Sequence, residues 1–160
     1  MIKTILVVGL LFLCSIAGSA QQARADIAGE WQLNAKKTPT KDYVAGTVWT
    51  ISIDADVMKI RRSSIKGEAE LKLLTNGKGE SNDIYGIRST RSKTKWEGNN
   101  LIRSFFMSSP MVSPSRATEN VEVYRISKDG KTLTYELSAK MEGGYGDPIV
   151  VRKLIFDRKP

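Results

Sequence analysis

Gly29-Glu30-Trp31-Gln32-Leu33-Asn34 heads a chain that reads almost wholly as β-strands. Beyond it, apolar residues recur at every second position, the period of a strand with one buried face. Gly46–Ile53 puts Thr47, Trp49, Ile51 and Ile53 on one side, and Val57–Ser63 turns Met58 and Ile60 inward. Glu68–Thr75 does the same with Ala69, Leu71 and Leu73. The clearest alternation is Thr132–Met141, where Leu133, Tyr135, Leu137, Ala139 and Met141 share a face. No stretch sustains a 3.6-residue period.

Turn chemistry divides these runs. Asn76-Gly77 predicts a tight hairpin, because both residues tolerate positive φ. Gly98-Asn99-Asn100 and Lys128-Asp129-Gly130-Lys131 predict two more turns. Ile84–Arg88 and Thr94–Glu97 are shorter strands, followed by Leu101–Met107, Glu119–Ser127 and a closing strand at Ile149–Asp157. On Glu119–Ser127, Val121 and Val123 define the expected inner face and Arg125 shares it. The polar segment Ala35–Ala45, the Pro110/Pro114 segment and Glu142–Pro148 read as loops. Consecutive strands usually pair, so these roughly nine strands predict an antiparallel meander. Closing a long meander into a barrel removes its edges, so the expected fold is all-β, a closed or nearly closed barrel of about eight to ten strands.

Residues 1–25 read as a secretory signal peptide. Lys3 precedes the apolar run Ile5–Ile16, and the small residues Ala17, Gly18, Ser19 and Ala20 follow. The run is short for a membrane span. Cleavage is expected after Ala25, where Ala23-Arg24-Ala25 fits the A-x-A pattern, with Ala20 as the alternative. Losing Lys3 and Arg24 takes two charges from the +8 of the whole chain and leaves +6. The single cysteine, Cys14, goes as well, and the chain has no histidine. The remaining domain, 26–160, therefore has no disulfide and must be stabilised by its core. It also lacks the usual ligands of zinc, copper and haem, and cannot run Ser-His-Asp or Cys-His catalysis. Neither a cofactor nor a metal nor an enzymatic activity is expected.

Gly29-x-Trp31 before a first strand and a meander resembles the lipocalin and calycin superfamily. Gly29-Glu30-Trp31-Gln32-Leu33-Asn34-x-x-Lys37, with Ser127-Lys128-Asp129-Gly130-Lys131-Thr132-Leu133-Thr134, looks like a group of small exported bacterial lipocalin-like proteins. The resemblance implies that Trp31 packs across one barrel end against a basic residue of the last strand. Arg152 and Arg158 are the candidates. Thr-Asp-Tyr, a cysteine pair and a helix before the last strand, all features of classical lipocalins, are missing.

A barrel of this size can be filled by side chains or hold one small ligand. The inward faces supply Trp49, Ile51, Met58, Leu71, Phe105, Met107 and Tyr135 as candidate ligand-binding residues, a set that suits an adaptable pocket and a packed core alike. Arg103 and Arg125 lie on apolar faces and need partners. A ligand carboxylate would serve, as would an internal one such as Glu122, and strand-end arginines can also snorkel to water. The expected function is non-covalent binding of a small apolar or amphiphilic molecule, an anionic one included, by a monomer in the periplasm or outside the cell. The alternative is an envelope protein-interaction module or inhibitor acting through loop residues such as Met111, Val112 and Tyr145 around a filled interior. Basic residues at Arg61, Arg62, Arg88, Arg91, Lys93 and Lys95 suit contact with anionic envelope lipid or glycan, or a merely solvated surface. Export argues against nucleic acid. Ser63-Ser64-Ile65-Lys66 matches S-x-x-K, but it ends a strand, whereas that chemistry needs a helix.

Overall fold

The computed structural model describes residues 27–41, 45–84, 87–108, 118–141 and 149–160. Residues 1–25, expected to be a signal peptide, and the expected loop tips at Met111, Val112 and Tyr145 lie outside the described residues. Ten strands follow one another: β1 (Gly29–Leu33), β2 (Val48–Asp54), β3 (Val57–Ser64), β4 (Gly67–Leu74), β5 (Glu80–Ile84), β6 (Ile87–Glu97), β7 (Asn100–Ser108), β8 (Thr118–Ile126), β9 (Thr132–Met141) and β10 (Ile149–Arg158). They form one antiparallel sheet in the order β4-β3-β2-β1-β10-β9-β8-β7-β6-β5. Pairing of β1 with β10 brings the first and last strands together and curls the meander into a nearly closed barrel. The all-β barrel expected from the sequence is the observed architecture.

Alternation produces the core. Trp49 and Ile51 of β2, Met58 and Ile60 of β3, Leu71 and Leu73 of β4, Leu133 and Tyr135 of β9 and Leu154 and Phe156 of β10 are all buried in one apolar cluster. Fully burying one such side chain is worth about 1.5–3 kcal/mol. That burial supports a fold with no disulfide among its described residues.

Three expectations require correction. Asn76-Gly77 does not close a two-residue hairpin. Asn76 bridges to Lys95 on β6, and the Gly77 amide donates to the Thr94 carbonyl at 2.9 Å. The chain thereby turns from β4 into β5 without the two strands forming a ladder, so they end the sheet on opposite sides of a seam. The region expected as two weak strands is instead β5 and the long β6. The inner face of β8 is also reversed. Asn120, Glu122 and Tyr124 are buried, while Arg125 is exposed and pairs with Glu136. Hydropathy favoured Val121 and Val123, but Arg103 in the interior requires a counter-charge, and Glu122 is its cross-strand partner.

Candidate functional site

Trp31 of β1 sits near the β8–β9 turn, to which Arg158 links it. It lies opposite Arg158 in the β1–β10 register and is completely buried, its indole Nε1 donating to the Ile27 carbonyl at 2.9 Å. The Arg158 guanidinium stacks over the indole, 4.4 Å from the ring centre. Its Nε donates to the Gly130 carbonyl at 2.8 Å and its Nη1 to the Ala28 carbonyl at 3.0 Å. Arg158 therefore ties together the first strand, the β8–β9 turn and the last strand. Gly29 allows this approach: its φ is +133°, and a Cβ there would lie 3.1 Å from Arg158 Nη1. Of the two candidate arginines, Arg158 is the one stacked on the tryptophan. Arg152 lies further along β10, opposite Leu137, and is only partly buried.

Beyond Trp31 the register arranges the interior in tiers. Leu101, Tyr124, Tyr135 and Leu154 are successive cross-strand neighbours on β7, β8, β9 and β10. The two tyrosines join Trp49 and Phe156 in an aromatic cluster. Trp49 has its ring centre 4.4 Å from Phe156 and 5.2 Å from Tyr135, and Tyr124 lies 5.3 Å from Tyr135. Ile51, Met58 and Leu71 are buried in the same apolar cluster.

The next tier is charged. Arg103, 2% exposed, donates from Nη1 to Glu122 at 3.0 Å, from Nη2 to Ser89 at 2.8 Å, and from Nε to Ser92 at 3.0 Å and Glu80 at 3.3 Å. Its guanidinium also lies 4.1 Å from the ring centre of Phe105, which is buried beside it. Met107, two residues on, is half-buried. Glu122 accepts in addition from the hydroxyls of Tyr124 at 3.0 Å and Tyr135 at 2.8 Å. Arg62 reaches in from β3, with Nη2 3.8 Å from Glu122 and its guanidinium 4.5 Å over Trp49.

The electrostatics follow from this packing. Burial pushes the Glu122 carboxyl upward, but Arg103, Arg62 and the Tyr135 hydroxyl outweigh it and hold the group below the usual carboxylate range. Burial and the neighbouring Glu122 charge push both Tyr124 and Tyr135 well above an ordinary tyrosine. For Arg62, burial pulls downward, and Tyr124, Tyr135 and Glu122 more than offset it.

A bulge in β6 helps assemble the tier. Between Thr90 and Lys93 the register to β7 shifts, with Arg91 at φ +53°. The extra residue turns both Ser89 and Ser92 inward although they are three apart, so both reach Arg103. No period-two reading of the sequence places them together.

Glu80 links this tier to the seam. Its Oε1 accepts from Thr94 at 3.1 Å as well as from Ser92 and Arg103, and its Oε2 accepts from the Leu74 amide of β4 at 3.2 Å. Nearby, Asn82 accepts from the Lys72 amide at 2.8 Å and donates to the Lys72 carbonyl at 3.0 Å. Two side chains of β5 thus stand in for a backbone ladder with β4. Outside the seam, Lys78, Glu80, Arg91 and Lys93 border an open groove of about 740 Å³.

Of the nine candidate ligand-binding residues, the interior brings together Trp49, Ile51, Met58, Leu71, Phe105, Tyr135 and Arg103. Met107 stands at the margin, and Arg125 is outside. Sequence reasoning did not single out Arg62, Glu80, Ser89, Ser92 or Tyr124 for the site. Of these, Tyr124 carried a signal in its parity with Glu122, and Arg62 in its parity with Met58 and Ile60.

A ten-stranded antiparallel meander, joined through its first and last strands and laced by side chains at one seam, is a nearly closed barrel that fits a calycin-like fold. Among solved structures, a fatty acid transporter, REP1-NXSQ, superposes with a TM-score of 0.58 over 85% of this chain and 98% of its own, at 17% identity. A secretary abundant heat soluble (SAHS) protein from Ramazzottius varieornatus does so with a TM-score of 0.56 over 84% and 96%, at 15% identity. At such identities the likeness is one of fold. No protein-family model matches the chain, and no curated protein matches it in sequence.

Proposed function

We propose that this chain is an exported, monomeric binding protein, without enzymatic activity, for a small apolar or amphiphilic molecule held inside the barrel. The observation that supports this reading is the graded interior: an apolar layer around Trp31, an aromatic tier, then convergent polar groups. A mostly apolar concavity with a few fixed polar groups is the usual form of a small-molecule site. The fatty acid transporter among its fold neighbours is consistent with that use. Residues 1–25 would direct a bacterial host to export the chain to the periplasm or the medium. The basic residues beside the seam, Lys78, Arg91 and Lys93, would favour encounters with anionic envelope lipid or glycan.

The test is native mass spectrometry of the protein purified from its own envelope, with saturable Nile red binding measured on the stripped protein. A co-purifying small molecule and saturable uptake are expected. A protein that carries nothing and takes up no apolar probe refutes the proposal. The second reading, a protein-interaction module, draws on the mutual packing of Trp49, Tyr135 and Phe156, which fills that level of the barrel. A co-purifying protein in place of a small molecule would favour it.

A further inference from the structure

The charged tier is an anion site whose anion the chain itself supplies. Glu122 is 3% exposed and surrounded by donors: Arg103 and Tyr124 on Oε2, Tyr135 on Oε1, and Arg62 3.8 Å from Oε1. All three nitrogens of Arg103 are already engaged, on Glu80, Ser92, Glu122 and Ser89. The two arginines of this network are matched by two carboxylates, Glu80 and Glu122. Arg152, at the same level of β10, has an interaction of its own. A ligand carboxylate drawn to these guanidinium groups would lie beside an ionised Glu122, and like charges sharing one buried site disfavour each other strongly.

Arg62 offers something different. Its Nε is buried without a hydrogen-bond partner, the one such side-chain atom among the described residues. A buried donor without an acceptor is costly, and native structures keep few of them. Its guanidinium lies over Trp49, 4.5 Å from the ring centre, and 5.8 Å from that of Tyr135. A group that relieves it must present an acceptor oxygen beside aromatic rings, and must do so without a negative charge that Glu122 would oppose.

We propose that the barrel selects an uncharged amphiphile, whose hydroxyl, ester or amide oxygen accepts from Arg62 Nε, and that Glu122 excludes fatty-acid anions. This rests on the reading that the interior takes a ligand. Glu122 is then a specificity-determining residue, and the chain would differ in ligand charge from a barrel that carries free fatty acids.

The experiment is displacement of Nile red, an uncharged probe, by oleyl alcohol and by oleate at a pH where oleate is ionised. Wild type, Glu122→Gln and Arg62→Met are compared, each checked for a cooperative melt. Wild type should prefer the alcohol by about tenfold or more, the equivalent of one pKa unit of charge repulsion. Glu122→Gln is close in size, removes the charge and should shift the preference toward oleate by about tenfold relative to the alcohol. Arg62→Met should weaken the alcohol without improving oleate. A wild type that prefers oleate overturns the inference and leaves the binding function standing. So does an unchanged preference in a folded Glu122→Gln, or an unchanged alcohol affinity in Arg62→Met. Failure of Nile red and both ligands to bind wild type overturns the binding function and the inference together.

Discussion

Replacing Arg158 by methionine tests whether its stack on Trp31 is a structural keystone. The side chain makes two hydrogen bonds to carbonyls, on Gly130 and Ala28, and stacks on Trp31. Hydrogen bonds from a charged donor contribute about 1.5–3 kcal/mol each. A cation stacked on an indole adds about 0.5–2 kcal/mol. Arg158 is only partly buried, so water recovers some of the loss, and methionine keeps much of the packing over the ring. The expected net destabilisation is about 2–3 kcal/mol, smaller than the plain sum of those contributions. With urea m-values of about 1–3 kcal/mol per molar, the unfolding midpoint should fall by about 1 M at unchanged m. Arg158→Lys should recover less than half, because an ammonium neither stacks as a plane nor reaches two carbonyls in a fixed fork. A double-mutant cycle with Trp31→Leu should return a coupling of about 0.5–2 kcal/mol. A midpoint shift below about 0.2 M for Arg158→Met, or no coupling in the cycle, would refute the reasoning.

Gly29→Ala should destabilise by about 1–3 kcal/mol through its φ of +133° and the approach to Arg158 Nη1, and should cost less in an Arg158→Met background, as urea melts of both would show. Asn82→Leu removes both side-chain bonds across the seam, so the Lys72 amide should exchange with deuterium much faster while the β9 amides keep their protection; equal protection of Lys72 in both proteins would count against a laced seam. Stability should also depend on pH at both extremes. Glu122 and Asp157 have depressed values in the folded chain, Asp157 through Asn34 and then Lys37. Their contribution is present above the unfolded carboxylate range near pH 4 and is lost as pH falls through the folded values. Tyr124 and Tyr135 are raised, so their contribution is complete below about pH 10 and declines above it. Thermal melts from acid to alkaline pH should therefore show a plateau with two falling limbs, and Tyr135→Phe should soften the alkaline one.

Much of the architecture was legible before any coordinates. Thr132–Met141 alternates cleanly, and its inward set is the observed one at Leu133 and Tyr135. Trp49, Ile51, Met58, Ile60, Leu71 and Leu73 fall where period two puts them. Each of these choices is local: an apolar residue gains by burial, its neighbour does not, and the pleat sends the two to opposite faces. The resemblance alone paired Trp31 with a basic residue of the last strand, and Arg158 stacks on it.

The charged tier was not legible in that way. On β8 the choice lay between a face with Val121 and Val123 and one with Asn120, Glu122 and Tyr124, and hydropathy points to the first. What reverses it is a long-range fact: Arg103 comes opposite Glu122 when β7 meets β8, while Arg62 arrives from β3 on the other side of the barrel. A buried ion is acceptable only beside its partners, and adjacency between strands is set by register, which period two leaves open. The β6 bulge that turns Ser89 and Ser92 together, and the seam at Asn76-Gly77, belong to the same class. From its residues alone, then, this protein is a meander that must close and must bury its apolar faces. Which charges enter the interior, and how they neutralise one another there, was decided only when the tertiary fold set the strands side by side, because the energy of a buried charge depends on its neighbours in space.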